Sequence, residues 1–149
     1  MINLKKLKKK NMNWYRKAQN ITLFHGSNYL GNDLNINNSE TGNALFLTDD
    51  AFTAAEYGRY VYEVSVNLNT PFTFDAQGDS WFKISMKEII NKAREEGFDS
   101  VIFKDIRDGK YTSFSGTVYA ILNIGILNIL NILDTQKKPE WYLENNELV

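Results

Sequence analysis

Short apolar runs separated by turn-forming residues restrict the fold of this chain more than any other feature. Runs of this kind at residues 21–24, 44–47, 72–74 and 98–103 are rich in β-branched and aromatic side chains. Each run is too short for a typical helix and has the composition of a strand. A fifth segment, 60–66, places Tyr and Val at every second position, which is typical of a strand within a sheet.

Two helices are predicted between these strands. A helix over 51–59 follows Thr48-Asp49-Asp50, since threonine and aspartate are good N-cap residues. A capping box, Ser85-Met86-Lys87-Glu88, opens a second helix that runs to residue 96, and Gly97 ends it. Residues 28–43 and 105–109 have the composition of loops and turns.

The apolar stretch 118–133 predicts two further strands with a turn near Gly125. Within it Ile-Leu-Asn recurs from positions 121, 126 and 129, and the spacing matches no functional repeat. Strands therefore outnumber helices. We predict an α+β domain with a mainly antiparallel, split β-sheet and short helices.

Composition excludes several classes of site. The 149 residues contain no cysteine and one histidine, so disulfides, zinc ribbons, thiol nucleophiles and His/Cys metal clusters are ruled out. No glycine-rich Rossmann or P-loop motif is present. The stretch 118–133 is interrupted by polar residues and too short to span a bilayer, and no secretory signal is visible, so we expect a cytoplasmic protein with no membrane partner.

The charge is distributed unevenly along the chain. The seven basic residues up to Lys17 all precede the first acidic residue. The rest of the chain contains ten basic and eighteen acidic residues. We therefore divide the chain into a basic N-terminal arm with a short helix, 1–19, and one domain, 20–149. The arm is interpreted either as a contact for nucleic acid, a ribosome or an acidic partner surface, or as a solvated tail.

Three motifs surround the single histidine. Thr22-Leu23-Phe24-His25-Gly26-Ser27 ends the first strand, Gly42-Asn43-Ala44-Leu45-Phe46-Leu47-Thr48-Asp49 covers the second, and Ala54-Ala55-Glu56-Tyr57 lies on the helix that follows. Together these motifs resemble the NAD-binding half of the ADP-ribosyltransferases related to diphtheria toxin and the poly(ADP-ribose) polymerases. The resemblance extends over about Thr22 to Leu122, and compact versions of this fold occur in phages and other mobile elements.

The resemblance implies an NAD site and a transferase reaction. It implies His25 and Tyr57 as catalytic residues, and NAD contacts at His25, Gly26, Ser27, Phe46, Thr48 and Tyr57. A flat, electron-poor nicotinamide ring suits the faces of two aromatic side chains, Phe46 and Tyr57. A turn at Gly26 would let backbone groups approach the carboxamide, and His25 would hydrogen-bond a ribose hydroxyl. Ser27 would bond either a ribose or its own turn.

The family's usual glutamate is absent. Its place, at the start of the strand predicted near residue 118, is taken by Thr117 or Val118. Three alternatives follow: a divergent mono-ADP-ribosyltransferase that uses NAD as substrate, substitution by another acid with Asp105, Asp108 and Glu63 as candidates, or loss of catalysis with a binding module retained. An NAD glycohydrolase is a weaker alternative. A transferase would act on a protein or nucleic-acid acceptor, with the basic arm as its candidate contact.

Overall fold

The chain folds into an α+β structure built on one mixed β-sheet. The computed structural model describes residues 19–31, 34–39, 41–107 and 115–137. Its strands are β1 (Gln19–Ser27), β2 (Asn37–Ser39), β3 (Gly42–Thr48), β4 (Tyr60–Leu68), β5 (Pro71–Asp75), β6 (Ser100–Ile106), β7 (Gly116–Ile121) and β8 (Leu127–Asp134). Its helices are α1 (Ala51–Ala55) and α2 (Met86–Glu95), and a 3-10 turn (Ile124–Ile126) precedes β8.

The sheet order is β5-β6-β7-β3-β1-β4-β8, with β2 paired to β3. Neighbouring strands are antiparallel except β5 and β6, which are parallel. The joint between β3 and β1 is narrow, because Phe24↔Thr48 is the one register pair that joins them in the described part of the chain. By contrast, β1 pairs with β4 along its whole length. The sheet therefore consists of two well-paired parts that meet at a single point.

Each face of the sheet carries its own hydrophobic cluster. On one face α2 packs its buried residues Met86, Ile89, Ile90 and Ala93 against β3 and β5–β7. Their spacing places all four on one side of the helix, which is why the helix docks on the sheet. The opposite face buries Leu23, Leu47, Tyr62, Val64 and Tyr119, among others. Alternation along each strand sends successive side chains to these two clusters.

The Ile-Leu-Asn repeat in β8 has a structural explanation. Side chains along a strand alternate between the two faces of the sheet, so a three-residue repeat would place successive isoleucines on opposite faces. The β4–β8 register passes from Glu63↔Asn131 to Val64↔Ile129, which leaves Leu130 as an extra residue in a bulge. As a result Ile129 and Ile132 both pack against the core, while Leu130 is exposed.

Several predicted boundaries are wrong. The first strand continues to Ser27 because His25 and Gly26 pair with Tyr62 and Val61 of β4, so His25-Gly26 is strand and not a turn. Helix α1 ends at Ala55 instead of residue 59, and the predicted loop 28–43 contains β2, which pairs with β3.

The predictions for α2 and β6 are confirmed in part. Ser85 precedes α2, but its side chain makes no capping hydrogen bond. Gly97 has φ +86° and ends the helix as predicted, since that conformation suits glycine. Strand β6 begins at Ser100, two residues later than predicted, and continues to Ile106 into the predicted turn.

The basic arm and its predicted helix lie outside the described residues, except for Gln19, with which β1 begins. Within the described ranges, no helix has the length and apolar character needed to cross a membrane.

Candidate functional site

A cleft of about 930 Å³ opens beside the narrow joint between β1 and β3. Among its lining residues are five of the six predicted NAD contacts: His25, Gly26, Phe46, Thr48 and Tyr57. The start of β7, residues 116–118, lines the same cleft. Ser27 does not line it, and its hydroxyl accepts a hydrogen bond from the backbone N–H of Tyr29 at 3.1 Å. The volume lies within the range of small-molecule sites.

His25 connects the two strands at the place where their pairing stops. Continuing the antiparallel register from Phe24↔Thr48 would set Phe46 opposite Gly26, but no such pair forms. Instead, the imidazole Nδ1 of His25 lies 2.8 Å from the carbonyl oxygen of Phe46. A carbonyl oxygen only accepts, so Nδ1 must carry the proton and donate it. His25 thus holds β3 against β1 where the backbones do not pair.

The protonation state of His25 follows from its surroundings. Burial lowers the pKa of His25, and the hydrogen bond to the Phe46 carbonyl raises it by less. At neutral pH the ring is therefore neutral, with its proton on Nδ1 and a lone pair on Nε2. The ring of Tyr62 lies 6.3 Å from the imidazole between centroids and is tilted by 56° to it. In this tautomer Nε2 is an acceptor for a hydroxyl group.

Glycine is required at position 26 because helix α1 packs against it, and not because the chain turns there. A Cβ built on Gly26 would lie 1.8 Å from the carbonyl oxygen of Ala54, in the last turn of α1. The backbone of α1 therefore rests directly on β1 at this position. This contact explains a glycine within a strand without reference to a ligand.

Tyr57 follows α1 and is held through the backbone around it. The N–H of Tyr57 donates to the Ala54 carbonyl at 3.0 Å, and the N–H of Arg59 donates to Asn28 Oδ1 at 3.1 Å. Arg59 also makes two hydrogen bonds to the Asp134 carboxylate, 2.8 and 2.9 Å long. These contacts fix the segment while the Tyr57 side chain stays 42% exposed. Tyr57 therefore lies on the cleft wall with part of its surface exposed.

Phe46 and Thr48 have structural contacts as well as positions on the cleft. Phe46 is partly buried and packs against the cluster under α2. The Thr48 hydroxyl accepts a hydrogen bond from the N–H of Asp50 at 3.3 Å. Asp50 in turn caps α1, accepting from the N–H of Phe52 at 3.0 Å and from the Thr53 hydroxyl at 2.8 Å. Thr48 therefore supports the start of the helix that carries the cleft wall.

Two aromatic residues that line the cleft were not predicted from the sequence. Phe52 lies on α1 with 87% of its surface exposed, and Trp81 lies between β5 and α2. The backbone N–H of Trp81 donates to the Arg107 carbonyl at 3.1 Å, which ties this loop to the end of β6. Adjacent large aromatics, Trp81 and Phe82, in a polar segment were the available signal, because binding residues are often found on loops.

The acidic residues on the cleft differ from the predicted substitutes. Asp105 and Glu63 do not line it, and Asp108 lies outside the described residues. The Asp105 carboxylate instead accepts a hydrogen bond from the Ser115 hydroxyl. The acids that line the cleft are Asp49, Asp50 and Glu56. Its described lining contains no lysine or arginine, so the cleft is electronegative.

The comparisons with known proteins identify no family. No protein-family model matches the chain, and no curated protein matches it either. One solved structure, "Crystal structure of an anti-CRISPR protein", is similar with a TM-score of 0.48 and 15% sequence identity, covering 78% of this chain and 98% of that chain. Similarity at this level carries no conclusion about function.

Proposed function

We propose that this protein is an NAD-dependent mono-ADP-ribosyltransferase-like enzyme, with an ADP-ribosyltransferase-like split sheet, that releases nicotinamide and transfers ADP-ribose to a protein or nucleic-acid acceptor. One observation carries the proposal: His25, Phe46 and Tyr57, far apart in sequence, line one cleft together with the start of β7. These are the positions at which the sequence motifs resemble that family. NAD is the substrate of this reaction.

Each of the three residues has a role that suits its chemistry. Phe46 and Tyr57 offer aromatic faces for the nicotinamide ring, and His25 Nε2 offers an acceptor for a ribose hydroxyl. Because the Phe46 carbonyl holds the other ring nitrogen, the imidazole is oriented before a ligand arrives. Holding the ribose in this way favours cleavage at its C1′ atom, through a cation similar to that of glycoside hydrolysis.

The charge of the cleft favours the nicotinamide end of NAD. The pyridinium ring carries a positive charge, and Asp49, Asp50 and Glu56 line the cleft. The pyrophosphate would be held without an ion pair from the described lining residues. We therefore expect the nicotinamide riboside half to contribute most of the binding free energy.

The decisive experiment incubates the full chain with NAD labelled in its adenosine half and a cell lysate. Free nicotinamide and label on macromolecules are followed together, beside His25→Ala and a matched surface variant, Tyr29→Ala, which is off the cleft. Label transfer that His25→Ala abolishes and Tyr29→Ala retains supports the proposal. Nicotinamide release without transfer assigns an NAD glycohydrolase.

A second candidate function is a non-catalytic binding module with the same fold. Thr117 and Val118 support it, because both line the cleft and the resemblance implies a glutamate at their place in the sequence. NAD that shifts the melting temperature but is not consumed would support this candidate. NAD that does neither would contradict both the transferase and the NAD-binding module.

A further inference from the structure

The wall of the cleft carries aromatic side chains that are open to solvent. Phe52 and Trp81 both line the cleft, with 87% and 37% of their surface exposed. Phe82 lies edge-on to Trp81, with the ring centroids 5.9 Å apart, and is 68% exposed. Exposed apolar side chains that lie together mark interaction surfaces, and the face of an aromatic ring attracts a cation.

Carboxylates lie on the same wall. Asp49 and Asp50 are exposed and line the cleft together with Glu56. Asp50 accepts hydrogen bonds from the Phe52 N–H and the Thr53 hydroxyl, which are neutral donors, so its negative charge is kept. The described part of the lining includes no lysine or arginine to offset these charges. A segment that combines positive charge with apolar side chains therefore fits this surface.

The basic arm of this chain has that composition. The eighteen residues before β1 contain seven basic residues and no acidic one. Five of the seven are lysines between positions 5 and 10, and Trp14 and Tyr15 follow them. The arm is thus opposite in charge to the cleft and carries large apolar side chains of its own.

The arm joins the domain close to the cleft. Thr48, which directly precedes Asp49 and Asp50, pairs with Phe24, and Phe24 lies five residues after Gln19 in β1. At about 3.3 Å per strand residue, the two aspartates lie about 17 Å along β1 from the point where the arm joins it. Residues 11–18 span up to about 26 Å when extended. The lysines before them can therefore reach the cleft, and their tether raises their effective concentration there.

We propose that the basic arm docks in the cleft of its own chain. Its lysines contact the carboxylates and the aromatic faces of the cleft wall, namely Lys5, Lys6, Lys8, Lys9 and Lys10. The contact is largely ionic, so salt weakens it. A docked arm covers the cleft, and any ligand that enters must displace it. This inference does not rest on the proposed function, because NAD takes no part in it.

The composition of the chain permits a direct test, since it has no cysteine and one histidine. Asn11→Cys in the full chain carries a nitroxide label next to the lysines, and the NMR signals of the His25 imidazole report from the cleft. We expect these signals to be lost at about 0.01 M salt, where the Debye length is about 30 Å, and to return when ascorbate reduces the label. They should also return at about 1 M salt, where the Debye length is about 3 Å.

Two charge variants of the labelled chain identify the contact. The first changes Lys5, Lys6, Lys8, Lys9 and Lys10 to Gln. The second is Asp49→Asn with Asp50→Asn, in which asparagine still caps α1. Both should restore the His25 signals at low salt. The matched control, Asp75→Asn with Asp79→Asn, removes two exposed charges off the cleft and should leave the signals lost.

The outcomes decide whether the arm occupies the cleft. His25 signals that stay sharp at low salt beside the oxidised label would overturn the proposal and leave the arm for an external partner. Signals that stay lost in the lysine variant and at high salt would overturn the ionic contact. A mixture of spin-labelled chain and isotopically enriched, unlabelled chain tests a second copy. Loss of the enriched His25 signals in that mixture would assign the contact to the arm of another chain and overturn docking within one chain.

Discussion

The Nδ1–H of His25 donates a 2.8 Å hydrogen bond to the carbonyl oxygen of Phe46, at the place where β1 and β3 stop pairing. The His25 imidazole thus replaces a backbone hydrogen bond between β1 and β3, and the cleft opens beside it. The same bond determines which imidazole nitrogen carries the proton. The joint between β1 and β3 and the proposed orientation of the imidazole therefore depend on the same hydrogen bond.

His25→Ala should lower the free energy of unfolding by about 1–3 kcal/mol, because the partly buried Phe46 carbonyl loses its donor. His25→Asn should lose less, since the asparagine amide is able to donate at a position near Nδ1. Urea denaturation of the three proteins measures the difference. Equal midpoints for His25→Ala and the wild type would show that the bond does not hold the strands together.

The stability of the protein should depend on pH through His25. Burial lowers its pKa below the ordinary 6.5, so between the folded pKa and 6.5 the unfolded chain binds more protons than the folded one. The free energy of unfolding should rise with pH in that window and level off above 6.5. His25→Asn should remove this contribution. NMR of the chain's single histidine gives the folded pKa directly, and a value at or above 6.5 would contradict the prediction.

Tyr57→Ala should weaken NAD binding by about 0.5–1.5 kcal/mol, the size of an aromatic stacking contact. Tyr57→Phe should keep most of the affinity because the ring remains. Calorimetric titration measures both, with Tyr29→Ala as the exposed control. Unchanged affinity in Tyr57→Ala would remove this residue from the site.

Gly26→Ala should destabilise the chain by about 1–3 kcal/mol or more, because the new Cβ would meet the Ala54 carbonyl oxygen at 1.8 Å. Gly31→Ala is the matched control, since a Cβ there meets nothing within 4 Å. Thermal denaturation compares the two. Similar melting temperatures for both variants would show that α1 does not rest on Gly26 as described.

NAD⁺ should bind more tightly than NADH, because the dihydropyridine ring lacks the positive charge that Asp49, Asp50 and Glu56 favour. The difference should shrink as salt is added, since screening weakens it. Dissociation constants at low and high salt test this, with ADP-ribose as the ligand without the ring. NADH binding as tight as NAD⁺ would show that the acids do not act on the ring.

The described strands other than β2, and the approximate positions of both helices, could be predicted, because they depend on the pattern of neighbouring residues. The end of β1 could not be predicted, since its last residues belong to the strand only because they pair with β4. The three candidate residues His25, Phe46 and Tyr57 were found from the motifs. Phe52 and Glu56 were not, because an isolated aromatic or acidic residue carries no signal until its position in space is known, whereas Trp81 was missed although it stands beside Phe82 in a polar segment.

The sequence by itself determined the strand-rich α+β composition, the exclusion of cysteine chemistry, and the presence of a single histidine. These follow from residue types and local spacing. Only the tertiary structure decided that β1 and β3 meet at one residue pair, that α1 rests on Gly26, and that Glu56 lines the cleft. Those facts depend on strand register and helix docking, which join residues distant in the chain and are set by the packing of the whole sheet.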